Sequence, residues 1–270
     1  MAIESARFET ITWEKKGEIG LLTFNRPERY NAISYQLMDE VAAVLDSLKY
    51  DTGCRVLVIT GADKAFCSGT DLKEPRQFEG DIKERVPHLY DSQKRLSDLI
   101  VRFRQIPQPV IAAVNGVAAG GGMCFALASD VRVAGPSARF IASFVNVGLS
   151  GGELGASYFL PRLVGMSRAS ELLLTGREVL AEEALQIGLV SRLTEEGEVL
   201  PTAFEIANAM LEKSPIGLKM TKEILNTTLE HDLEASLQVE NRSQVLCVLS
   251  GTFEDAIKRF ENRKNKSLTE

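Results

Sequence analysis

Three short segments carry residues whose types and spacing could do chemistry. In Asn115-Gly-Val-Ala-Ala-Gly-Gly-Gly-Met123 an apolar run, Val110 to Val114, feeds three consecutive glycines and then a helix-forming stretch. Glycines at such a turn leave main-chain N–H groups open to an anion, with no Cβ in the way. In Lys64-Ala-Phe-Cys-Ser-Gly-Thr-Asp-Leu-Lys73 another glycine follows the apolar run Val56 to Thr60 and can present the amide of Thr70. Two amides aimed at one oxygen stabilise an enolate or a tetrahedral intermediate. The ordinary alternative for both glycine segments is a tight turn packed inside a core. The third segment, Gly148-Leu-Ser-Gly-Gly-Glu153-Leu-Gly155, holds a single carboxylate, and no other acid lies between Asp130 and Glu171. A carboxylate in an apolar pocket has a raised pKa, which suits proton transfer near neutral pH. Its ordinary alternative is a glutamate that caps free N–H groups at the turn.

Other chemistries are poorly served. Neither glycine segment reads GxGxxG or GxxxxGK[ST], so dinucleotide and P-loop readings fail. Only His88 and His231 are available, which nearly excludes catalysis by clustered histidines. Cys54, Cys67, Cys124 and Cys247 make no CxxC pair, and no metal constellation appears. Cys124 near a helix start could favour a thiolate, although a small buried hydrophobe is the commoner role. Asp71 suits a turn or cap, and His88 a solvated helix face. With 31 Lys+Arg against 37 Asp+Glu, the net charge of −6 gives no general attraction to nucleic acid or anionic membrane.

The elements that must position these segments can be read from periodicity. Phe8 to Trp13 and Ile19 to Phe24 read as a hairpin across Glu14 to Glu18. Leu37, Val41, Val44, Leu45 and Leu48 follow helical spacing behind Ser34 as N-cap. Val56 to Thr60, Val110 to Val114 and Val131 to Ala134 read as strands, Arg76 to Arg104 as mostly helical, and Met123 to Ala128 as a buried helix turn. The charge-free stretch Gln105 to Ser129 is long enough to imitate a membrane span, but its prolines and glycines break it. The start, MAIESARFET, lacks the marks of a signal peptide, so a cytoplasmic protein is expected. From about Ser167 the texture turns to amphipathic helices: Ser167 to Thr175, Ala181 to Gln186, Pro201 to Lys213, Ile216 to Leu249 and Thr252 to Lys264. An α/β N-terminal two-thirds and an all-helical C-terminal third follow.

Taken together the segments resemble the enoyl-CoA hydratase/isomerase (crotonase) superfamily. The matching pieces are Phe24-Asn-Arg-Pro-Glu-Arg-Tyr-Asn-Ala32, Ala65-Phe-Cys-Ser-Gly-Thr-Asp-Leu-Lys73, and Pro109 through Gly122. Ser129-Asp130, Ala138-Arg-Phe140, Leu160-Pro-Arg-Leu-Val-Gly165, Leu174-Thr-Gly176 and Gly188-Leu-Val190 follow in the family's order. The resemblance implies an α/β spiral of ββα turns over 1–200 that binds acyl-CoA. It also implies a helical oligomerisation region over 201–270 that builds a homotrimer, often paired into a homohexamer. The implied ligand is an acyl-CoA thioester, with coenzyme A part of the substrate and no separate cofactor. Its carbonyl oxygen would meet the amides of Thr70 and Gly121, and backbone around Arg29, Tyr30, Ser68, Asp71 and Leu72 would line the CoA channel. Phe260-Glu-Asn-Arg263-Lys264 resembles a family tail that reaches a neighbour's CoA, against the plainer reading of a solvated cationic helix end.

The chain departs from the family where its hydratases carry two glutamates. Those positions fall on Cys124 and Phe144. Glu153 instead matches the position at which the family's dienoyl-CoA isomerases and chlorobenzoyl-CoA dehalogenases place an aspartate. The dehalogenase's tryptophan and histidine would fall on Phe144 and near Ser97, so that match stops there. The resemblance thus points to hydration or isomerisation of an enoyl-CoA through a held enolate, with Glu153 as acid/base. Hydrolysis or C–C cleavage of an unusual acyl group is the alternative among enzymes. An acyl-CoA-binding protein without hydratase activity is the alternative outside them. Met38, Phe78, Tyr90 and Phe144 are candidates to line the acyl pocket.

Overall fold

The computed structural model describes residues 7–74, 81–228, 230–254 and 257–258. Strands β1 (Ile11–Lys16) and β2 (Ile19–Phe24) form an antiparallel hairpin closed by Gly17 and Glu18. Pairing continues through Glu14, Lys15 and Lys16, which the sequence suggests as loop, because a two-residue turn is enough to reverse the chain. At the other end, the N–H groups of Glu9 and Thr10 go to the Glu40 carboxylate, each at 2.9 Å, rather than into the ladder. Helix α1 (Tyr35–Leu48) starts as its pattern predicts: Ser34 Oγ accepts from Leu37 N–H at 3.1 Å, and Leu37, Val41, Val44, Leu45 and Leu48 are buried.

Then come β3 (Val56–Gly61), β4 (Ala65–Cys67), α2 (Ile82–Gln105), β5 (Val110–Val114), β6 (Val117–Ala119), α3 (Gly121–Ala128), β7 (Val131–Ala134) and β8 (Arg139–Ile141). β3, β5 and β7 pair in parallel in one sheet, and β4, β6 and β8 in parallel in another. Each circuit of the chain therefore adds one strand to each sheet, which makes a spiral of ββα turns. Val56 to Gly61 and Val110 to Val114 are buried at every position, as strands covered on both faces must be.

Beyond β8 the chain forms α4 (Ala156–Val164), α5 (Met166–Thr175), β9 (Glu178–Leu180), α6 (Ala181–Gln186), β10 (Arg192–Leu193) and α7 (Val199–Leu211). The last third is thus not all helical. β9 adds an antiparallel edge to β8, and β10 a parallel edge to β7. The single helix expected over Ile216 to Leu249 is two, α8 (Pro215–Thr228) and α9 (Leu233–Leu249). Asp232 begins the second by accepting from Ala235 N–H at 2.8 Å. The helix expected over Thr252 to Lys264 lies largely outside the described residues. The chain divides into two compact units, Met1–Asn208 and Ala209–Glu270. Among the described residues no helix is long and apolar enough to cross a membrane.

The core ties the site's elements together. Phe24 of β2 meets Phe66 of β4 edge-on at 5.5 Å and stacks on Phe125 of α3 at 5.6 Å, and Phe125 meets Phe103 of α2 at 5.5 Å. Such pairs contribute about 0.5–1.5 kcal/mol each beyond the area they bury. Two asparagines fasten neighbouring circuits. Asn31 is fully buried; its Oδ1 accepts from Arg26 N–H, and its Nδ2 donates to Ala62 O and Ala65 O. Asn115 Nδ2 donates to Gly61 O and Asp63 O, each at 2.9 Å.

Candidate active site

The loops that carry Thr70 and Gly121 lie against one another. Gly69 has φ +90°, and a Cβ there would stand 2.8 Å from Ala119 O and 3.4 Å from Gly121 N. Only glycine allows that approach. Gly120, with φ +51° and ψ −122°, turns the chain out of β6 so that α3 opens on Gly121. On the other side Ile33 N–H donates to Gly69 O at 2.8 Å, and Asp71 N–H to Ile33 O at 3.0 Å. That pairing passes over Thr70. Among the described residues, neither Thr70 N–H nor Gly121 N–H donates a hydrogen bond. Two neighbouring unanswered amides, one at the positive end of a helix, can hold a negatively charged oxygen.

Glu153 stands beside them. The next residue, Leu154, is buried with φ +48°, a costly conformation for a bulky side chain. It directs Leu154 Cδ1 to within 3.4 Å of where a Cβ on Gly121 would be. Cys124 Sγ–H, on the first turn of α3, donates weakly to Glu153 O at 3.7 Å. The Glu153 carboxylate is half-buried, and its Oε1 accepts from Gln93 Nε2 of α2 at 2.9 Å. Burial pushes its pKa up, and the Gln93 hydrogen bond draws it partly back. Its side chain caps no backbone N–H among the described residues, so the capping role does not apply.

Gln93 escapes sequence reading, because it sits amid charged residues and meets Glu153 only through the fold. Replacing it with leucine should raise the carboxyl's pKa further. A base works ionised, so kcat/KM falls as pH drops through that pKa, and the acid limb of the Gln93→Leu profile should move to higher pH. An exposed hydrogen bond to a charged group carries on the order of 1 kcal/mol, so the loss at low pH is roughly fivefold. A superimposable pH profile would show that Gln93 does not tune Glu153.

The other sequence-predicted residues gather at one rim. Ser68 N–H donates to Tyr30 O at 3.1 Å and Ser68 Oγ to Arg29 O at 3.4 Å, while the side chains of Tyr30 and Leu72 are exposed. Asp71 braces the rim by accepting from Arg26 Nη2 at 3.0 Å and from Lys73 N–H at 3.0 Å. Burial opposes its charge, but these bonds prevail and hold its carboxyl below the usual range. Cys124 is fully buried, and burial pushes its thiol far up, which removes it as a nucleophile. Phe144 is buried with Cε1 3.6 Å from where a Cβ on Gly120 would be. Met38 is buried in the core, and Tyr90 and His88 lie on the exposed part of α2. Phe78 and the tail residues Phe260, Arg263 and Lys264 lie outside the described residues. Among the described residues no three His, Cys, Asp or Glu side chains gather as a metal site needs.

The ββα spiral brings two open amides together, with the main chain of Glu153 and Leu154 packed beside the helix that carries one of them. The sequence model of the Enoyl-CoA hydratase/isomerase family matches residues 14–269, and the chain belongs to that family. It is 44% identical over 243 residues to a probable enoyl-CoA hydratase of Mycobacterium bovis, across 89% of this chain and 85% of that protein. It is 32% identical over 249 residues to the 1,2-epoxyphenylacetyl-CoA isomerase of Escherichia coli, across 92% of this chain and 94% of that protein. The crystal structure of a probable enoyl-CoA hydratase/isomerase from Mycobacterium abscessus superimposes with a TM-score of 0.82 at 39% identity, covering 89% of this chain and 91% of that one.

Proposed function

We propose that this protein acts on an enoyl-CoA thioester and moves its double bond by proton transfer, with Glu153 as the one acid/base. The observation that carries this is the state of the acids around the notch. Asp71 is held by Arg26 and Lys73, and Glu74 accepts from Tyr35 N–H, which leaves Glu153 with a weakly engaged, half-buried carboxylate. Cys124 and Phe144, at the positions where family hydratases carry glutamates, offer no acid. One carboxylate suffices for isomerisation. It removes a proton from C2 of a 3-enoyl thioester, the enolate oxygen rests on Thr70 N–H and Gly121 N–H, and the carboxylic acid returns the proton to C4. The coenzyme A belongs to the substrate, Arg29, Tyr30, Ser68, Asp71 and Leu72 line its channel, and the chemistry calls for no further cofactor. Hydration is the second reading, favoured by the name of the Mycobacterium bovis relative.

Proton NMR of 3-hexenoyl-CoA and crotonyl-CoA with the protein in heavy water tests this. The expected result is conversion of the 3-enoyl to the 2-enoyl thioester with deuterium at C2 or C4. Faster formation of 3-hydroxybutyryl-CoA from crotonyl-CoA would replace isomerisation with hydration. Binding without turnover of either would favour an acyl-CoA-binding protein. Self-association through the second unit completes the reading, supported by Leu233, Leu237, Val245, Leu246 and Leu249 exposed on α9. Sedimentation of the intact chain counts the copies, and a monomer would refute it.

A further inference from the structure

Arg132, on β7, is a buried guanidinium that the proposed reaction does not touch. Its Nε donates to Leu189 O at 2.8 Å, and its Nη1 to Ser129 O at 2.6 Å and to Ala126 O at 3.4 Å. Among the described residues no carboxylate pairs with it. Nearby Asp130 instead bonds Arg104 Nη1 at 3.0 Å and Val110 N–H at 2.8 Å. The Asp130 charge supports the guanidinium through space, but burial of a cation whose hydrogen bonds all go to carbonyls outweighs that support. Burial lowers its pKa to about 10, which leaves it charged at neutral pH.

What Arg132 touches is the far end of the oxyanion helix. Ala126 O and Ser129 O lie at the C-terminus of α3, and Arg104 Nη1 reaches Ala128 O there at 3.3 Å. Gly121 is the first residue of the same helix, and all eight of its residues are buried. Eight residues span about 12 Å. Little water lies along that path to screen a charge.

We propose that Arg132 is a positioning residue for oxyanion binding. Its charge offsets the negative pole of α3 and leaves the positive pole, at Gly121, acting on the thioester oxygen from inside the protein. The inference rests on the reading of Thr70 and Gly121 as the oxyanion donors. At an effective dielectric near 20, a unit charge about 12 Å from a developing anion alters a rate about tenfold. The carbonyls fix where the charge sits, and the helix carries its influence to the notch.

The test is infrared difference spectroscopy of carbonyl-labelled hexanoyl-CoA bound to the wild type, Arg132→Lys and Arg132→Gln, with kcat and KM measured alongside. The wild type should show a thioester carbonyl stretch shifted to lower frequency. Arg132→Lys should keep most of that shift, and Arg132→Gln should lose part of it, with kcat down about tenfold and KM within about threefold. An unchanged shift in Arg132→Gln overturns the proposal, since a structural role alone would leave the polarised carbonyl as it was. Loss of the shift in both variants assigns the effect to the guanidinium's shape and likewise overturns it. A wild type with no shift would instead sink the oxyanion reading beneath it. Should Arg132→Gln not fold, the Arg132→Lys protein decides the matter against pH. The shift must shrink as the buried lysine loses its proton, and a pH-independent shift refutes the proposal.

Discussion

Glu153→Gln is expected to lower kcat about 10²–10⁴-fold, the range a positioned acid/base supplies. Acyl-CoA affinity should stay within a few-fold, because the proposed mechanism holds the thioester by main-chain groups. The replacement is nearly isosteric, and its amide oxygen can still accept from Gln93 Nε2, which bonds the carboxylate at 2.9 Å. Stability should move the other way from activity. Burial raises the Glu153 pKa above its unfolded value. The contribution of that group is therefore fully present at low pH and is lost as pH rises through the folded pKa. Glutamine carries no such loss, so Tm at neutral pH should hold or rise, and the difference should vanish in acid. Steady-state kinetics, isothermal titration and a pH series of melting curves measure all three. Normal turnover by Glu153→Gln would end the single-carboxylate mechanism.

The second large effect is expected from Gly69→Ala. The new methyl group must displace Ala119 O, 2.8 Å from where it would stand, and it crowds Gly121 N at 3.4 Å. Alanine also resists the φ of +90° found there. Both strains relax by parting the loops that carry Thr70 and Gly121, so one amide drifts from the oxygen. Loss of one such donor costs about 10²–10³ in kcat. The carbonyl stretch of a bound thioester should return toward its solution value in the folded variant. A folded Gly69→Ala protein with wild-type kcat would mean that these loops do not hold the oxyanion.

The sequence is most legible where local chemistry and burial agree. Ser34 and the spacing from Leu37 to Leu48 define α1 without reference to the rest of the chain. The runs Val56 to Ile59 and Val110 to Val114 are apolar throughout because their sheet is covered on both faces. β4, β6, β8 and β9 are different: three residues each are too few to show a period, and what makes them strands is the neighbouring circuit. The break between α8 and α9 is marked only by weak helix formers, Asn226, Thr227, Thr228 and His231, and by the N-cap Asp232. In the candidate site, glycine patterns mark the adjoining loops that carry Thr70 and Gly121, because such turns need glycine for steric reasons. Glu153 stands out by its isolation among uncharged residues. Gln93 and Arg132 leave no such trace, since their meaning lies in partners brought from distant parts of the chain.

The spiral has a consequence for how such a protein can change over generations. Thr70, Gly121 and the Ser143–Phe144 pair follow closely on the ends of β4, β6 and β8, the same step on three successive circuits. These positions form a column running along the spiral, and in the proposed mechanism two of its members work through the main chain. Most point mutations replace a side chain and leave an amide where it was, provided the turn glycines remain. Side chains in the same column can be exchanged one at a time with little disturbance to the grip on the thioester. A lineage built this way can inherit its hold on a carbonyl oxygen and acquire a new reaction by moving a single acid from one circuit to the next.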